Sequence, residues 1–130
     1  MLLVFDEYTF GKKKPDIFCY NKIMEFSKVK LVVTVPLGHV DSVRRAMGDA
    51  GAWRFETYSH CSVSMPVTGR YIPLDGADPF IGSVGTFETV EEERIEVTCD
   101  SAIIAQVITA MVAVHPYDQV AYDVYPLLDL

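Results

Sequence analysis

Cysteine is scarce in this chain of 130 residues. It has Cys19, Cys61 and Cys99 only. An odd number with no short spacing argues against a disulfide framework or a zinc knuckle, and a reducing compartment is the expectation. Long apolar runs are absent too, so no stretch has the length of a membrane span. The apolar start, Met1 to Phe5, is interrupted by Asp6 and Glu7. It has neither a basic flank before it nor a small-residue cleavage site after it, which does not fit a signal peptide. Cytoplasm is left by elimination. Bases are few: 11 Lys and Arg stand against 18 Asp and Glu, a net charge of −7. Such a surface disfavours nucleic acid and anionic membranes. Three histidines, His39, His60 and His115, are spread over separate segments. No nucleophile sits on a strand-turn-helix elbow, so no catalytic residue is assigned.

What the chain does have is a block from Tyr58 to Gly85 holding four of the eight glycines and three of the seven prolines. Glycine supplies backbone angles that other residues resist, and proline removes a ladder donor, so the block reads as a long, shaped connection. Around it the periods are regular. Val29 to Pro36 is rich in β-branched residues and reads as a buried strand. Val40, Val43, Met47 and Ala50 share one face of a helix that Gly51 is placed to end. Alternation predicts a second strand over Trp53 to Val67, with Tyr58 and His60 on its exposed side. A third runs from near Ile81 to Cys99, with Glu91, Glu92 and Glu93 on a solvated part of the hairpin. Asp100 or Ser101 can cap a helix over Ala102 to Val114. That helix is so apolar that it is either a well-covered core helix or a subunit contact. Gln119 to Tyr125 makes the last strand.

The order β-α-β-β-α-β predicts an α+β ferredoxin-like sandwich, an antiparallel sheet with both helices on one face. The domain spans 29–130. Residues 1–28 fit it poorly and read either as an N-terminal arm, with a strand in Leu2 to Phe10, or as an artefact of a misplaced start upstream of Met24. The Lys12-Lys13-Lys14-Pro15 break falls within them.

Candidate chemistry is sparse. His60 and Cys61 are metal-ligand types, but neighbours on a strand point to opposite faces and cannot share an ion without a bulge. His115 ends a helix, where the dipole favours an imidazolium, and the His115-Pro116-Tyr117-Asp118 turn is a polar cluster or a plain helix stop. The glycines of the block match neither a dinucleotide fingerprint nor a Walker loop, and Arg70 is its only cation.

The segments YSHCS, TGRYIPLDGADPFIGSVG and HPYDQVAYDVYPL resemble the inserted domain of the YqfO-type Nif-three-like proteins and the small stand-alone proteins that share it. The resemblance covers Val29 to Leu127. It implies a PII/CutA-like fold that is often trimeric, with the long connection between the second and third strands placed like the PII effector loop. The chain departs from the pattern at Trp53, Glu56 and Val67, where glycine is favoured, and at Val120, where proline is usual. The flanking halves that carry a dinuclear metal site in the full-length family are missing, so hydrolase or GTP cyclohydrolase activity is not carried over.

The expectation is a non-enzymatic binding or regulatory module, a homo-oligomer and preferably a trimer, that senses a small molecule at clefts between subunits. Trp53, Tyr58, His60, Arg70, His115 and Tyr117 are the candidate ligand-binding residues. The alternative is a divalent-metal-binding CutA-like protein using His60, Cys61 and His115. A small hydrolase ranks behind both. The sequence names no cofactor and leaves that question open.

Overall fold

The computed structural model describes residues 2–3 and 24–128, and the side chains of 26–128. A short antiparallel pair joins β1 (Leu2–Leu3) to β2 (Met24–Glu25). The rest of the expected arm, with its lysine triplet, lies outside the described residues. The main sheet has β3 (Lys28–Pro36), β4 (Val63–Tyr71), β5 (Glu88–Asp100) and β6 (Tyr122–Leu127). Its spatial order is β4-β5-β3-β6, antiparallel throughout. Helices α1 (Val40–Asp49) and α2 (Ile104–Val114) make the two crossovers. This is the ferredoxin-like sandwich.

The core follows from period. On β3, Val29, Leu31, Val33 and Val35 alternate inward and are fully buried. They pair in register with the β5 face carrying Cys99, Val97 and Ile95. Val40, Val43 and Met47 of α1, and Ile104, Val107 and Met111 of α2, close over them at spacings of three and four. Each such side chain contributes about 1.5–3 kcal/mol by leaving water. α1 ends in a Schellman motif: Ala52 N–H reaches Met47 O and Gly51 N–H reaches Gly48 O, with Gly51 left-handed.

Three expectations are corrected, and of the two readings of α2 the well-covered core helix is set aside. The second strand begins at Val63, not Trp53. Trp53, Glu56 and His60 have positive φ (38°, 54° and 57°), which a strand cannot contain. Phe55 and Tyr58 exchange both backbone hydrogen bonds across a tight reversal instead. Tyr58 and His60 are therefore on a loop, and the open sheet face is carried on β4 by Val63, Met65 and Val67. The third strand begins at Glu88, because Ile72–Phe87 is occupied by a folded connection. In it Ala77 N–H binds Leu74 O, Thr86 N–H binds Ser83 O and Gly85 N–H binds Pro73 O. Neither Asp100 nor Ser101 caps α2 with its side chain; a 3-10 turn over Ser101–Ile103 precedes the helix. α2 is not covered all round: Ile104, Val107 and Met111 face the core, while Val112 and Val114 are exposed.

Candidate functional site

The ladder between β3 and β6 stops at Val33. Beyond it β6 no longer pairs with the β3 edge, and the turn after α2 fills the place. His115 is buried there, and its Nε2 lies 2.9 Å from the Thr34 carbonyl oxygen. A carbonyl can only accept, so Nε2 carries the proton. Nδ1 accepts from the Tyr117 backbone N–H at 3.2 Å. The ring is thus a single neutral tautomer. Burial holds its pKa below the ordinary histidine value, partly offset by the Thr34 carbonyl and the Glu92 charge. The imidazolium expected from the helix dipole is overturned by this desolvation.

His115 sets Tyr117, and Tyr117 reaches Glu92. Its hydroxyl donates to Glu92 Oε1 at 2.5 Å. Glu92 is 4% exposed, which corrects the expectation of a solvated acidic run. The alternation of β5 places Glu91 in water and Glu92 on the open sheet face. There its carboxylate lies across β4 at Gly69. A Cβ built on Gly69 would stand 2.3 Å from Glu92 Oε2, so only glycine leaves room. The Tyr117 phenol is held protonated, its pKa raised by burial and then by the bond to Glu92. Tyr71 is raised too, by burial first and the nearby Glu88 charge second.

Aromatic rings surround this pair. Tyr71 meets Tyr117 edge-on at 6.3 Å, His115 lies 5.0 Å from Tyr117, and Phe80 lies 6.4 Å from it. His39, at the start of α1, packs edge-on against Phe80 at 5.2 Å. The connection is fastened at two points: Tyr71 OH donates to Ile81 O, and Asp78 N–H donates to Asp118 Oδ2. Between the connection and the sheet lies a hollow of about 630 Å³ lined by Thr34, Arg70, Tyr71, Glu92 and Tyr117, among others. A volume of this size admits a small metabolite.

Of the six candidate residues, Arg70 and Tyr117 line this hollow and His115 supports it from behind. Trp53, Tyr58 and His60 lie elsewhere. Trp53 lines a separate hollow of about 550 Å³ with Asp49, Arg54 and Gln106, and Lys30 Nζ sits 5.4 Å from its ring centroid. Tyr58 is 70% exposed. His60 packs on α1, where a side chain at Gly48 would collide with its ring, and its Nε2 lies 2.9 Å from Asp49 Oδ1. His60, Cys61 and His115 do not converge; among the described residues no three metal-ligating side chains do. Glu92, Tyr71 and Gly69 were not singled out by the sequence. Alternation puts Glu92 on the opposite face from Glu91 and Glu93, but only the register names the buried one.

The fold and this placement of the connection define a class, the ferredoxin-like sandwiches of the CutA and PII type. The divalent cation tolerance protein CutA of Archaeoglobus fulgidus matches 77% of this chain with 83% of its own, at a TM-score of 0.57 and 17% identity. The GlnK of Bacillus subtilis matches 78% of this chain with 81% of its own, at 0.53 and 14%. These likenesses show the fold alone. Sequence goes further. A Bacillus subtilis protein named GTP cyclohydrolase 1 type 2 homolog is 48% identical over 98 residues, 75% of this chain and 26% of that protein. A Bacillus cereus protein related to NIF3 superposes on 80% of this chain at a TM-score of 0.70 and 45% identity, again over 26% of its own length. This segment is therefore homologous to part of the Nif-three-like proteins, and the chain spans about a quarter of their length. No family model matches the chain. No helix among the described residues is long and apolar enough to cross a membrane.

Proposed function

We propose that the chain is an oligomeric binding or regulatory module, a trimer, that takes a small molecule in the hollow beneath the Ile72–Phe87 connection. One observation carries the reading: a fastened connection roofs a hollow whose floor holds the buried Glu92. A loop folded this tightly around an open volume is built for an occupant rather than for its own packing. The oligomer is supported by the uncovered face of the sheet, where Val63, Met65 and Tyr125 are exposed. It is supported also by the likeness to the CutA and PII proteins. Copies joined through that face bring β4 and the hollow beside a neighbouring subunit. Binding rather than catalysis fits the chemistry, because the two phenols are held protonated and, among the described residues, Arg70 is the only cation lining the hollow. The metal-binding alternative lacks a converging ligand set among the described residues.

Light scattering and amide-detected titration test this together. The expected results are a mass of three chains and, from a panel of cationic, neutral and anionic small molecules, hits that shift the amides of Gly69, Tyr71 and Tyr117. A monomer would overturn the oligomer. A panel that leaves those three amides unmoved would overturn the site.

A further inference from the structure

We infer that the occupant of this hollow presents a cationic nitrogen, an amine, amidine or guanidinium, to Glu92 Oε2. This deepens the binding reading above and rests on it. Glu92 is buried with 4% of its surface exposed. A carboxylate this buried loses most of its hydration, and the oxygen left open favours a positive partner. Tyr117 satisfies Oε1. No hydrogen bond reaches Oε2 among the described residues, and no ion pair includes Glu92.

Nearby cations are engaged elsewhere or placed on the other face. Arg94, two residues along the same face of β5, donates to Glu96 at 3.1 Å, and Lys30 lies 3.8 Å from that same Glu96. Arg70 follows Gly69 on β4 and so alternates to the opposite face of the strand. Meanwhile Glu92 Oε2 lies where a Gly69 side chain would be, on the floor of the hollow. Asp75 and Asp118 add negative charge to the lining, and Arg70, its one base among the described residues, has its side chain starting from the other face of β4. Tyr71, Tyr117 and Phe80 supply rings, whose faces attract cations. A phosphate or carboxylate would meet these acids, whereas an organic cation meets one open carboxylate oxygen and aromatic walls. A bare metal ion would find too few converging ligands among the described residues.

The test uses three shape-matched probes on the purified full chain: butylguanidinium, butylurea and pentanoate. Amide spectra locate binding and calorimetry measures it. Butylguanidinium is expected to shift Gly69, Tyr71 and Tyr117, and to bind roughly tenfold tighter than butylurea, the worth of a charged over a neutral hydrogen bond. Glu92→Gln is expected to erase that preference. The probe comparison on the unaltered chain stands even where the variant does not fold. Equal affinity for the charged and neutral probes, or an unchanged preference in folded Glu92→Gln, overturns the assignment. If pentanoate moves those amides and butylguanidinium does not, the site stands and the cationic class falls. If no probe and no member of the wider panel moves them, both fall.

Discussion

Tyr117 donates its hydroxyl to Glu92 across 2.5 Å, and this one bond fixes the turn after α2 to the middle of β5. Removing the donor leaves a mostly buried carboxylate with no hydrogen bond from the described residues. Tyr117→Phe is expected to lower stability by about 1.5–3 kcal/mol, the range for a hydrogen bond to a charged group. Urea denaturation of the two proteins checks it. A loss well under 1 kcal/mol would show that solvent replaces the phenol.

His115 makes stability depend on pH. Burial lowers its folded pKa, so the unfolded chain binds the proton more readily. The neutral ring's contribution is therefore complete above the ordinary value of about 6.5 and is lost as pH falls through the lowered folded pKa. His115→Gln can keep a donor toward the Thr34 carbonyl but cannot titrate. Thermal melts from pH 8 to pH 4.5 are expected to fall less steeply for the variant below pH 6.5. Parallel profiles would remove His115 from the acid response.

Glu56 has a positive φ, and its exposed side chain forms no hydrogen bond or ion pair among the described residues. A left-handed non-glycine residue costs about 1–2 kcal/mol, and glycine's extra freedom in the unfolded chain returns part of that. Glu56→Gly is expected to stabilise by about 0.5–1 kcal/mol, read as a rise in Tm. Trp53 shares the strained backbone but packs on the core and under Lys30. Trp53→Gly is expected to destabilise, so the pair separates backbone strain from packing.

Met65 is exposed on the open sheet face, opposite Arg94 in register. Met65→Glu places a carboxylate beside that guanidinium within one chain while charging the proposed interface. Light scattering is expected to show a smaller species, with circular dichroism unchanged. An oligomer that persists would move the interface to another face.

The regular elements were legible because their periods are those of their burial. The β-branched run of β3 and the three-and-four spacing of α1 each state which side is inward. The segment after α1 was not, because alternation at Trp53, Phe55 and Thr57 says nothing about φ, and three left-handed residues bend it away. Two of those three, Trp53 and Glu56, stand where the resemblance expects glycine. The sequence had flagged the positions without revealing that backbone angle was the reason. At the hollow, Tyr117 and His115 were legible as a polar turn behind a helix. Glu92 was hidden between two identical neighbours, since burial is decided by strand register and by the absence of a side chain at Gly69.

The fixed tautomer of His115 turns the imidazole into a built-in reporter. One ring nitrogen is protonated toward Thr34 and the other accepts from the backbone of Tyr117. The two nitrogens therefore resonate far apart in a nitrogen-15 spectrum. Any event that pulls the His115–Tyr117 turn away from the sheet breaks the Nε2 bond to Thr34, while Nδ1 keeps its partner inside the turn. A single labelled histidine, with no added probe, thus reads out whether the roof of the hollow is seated.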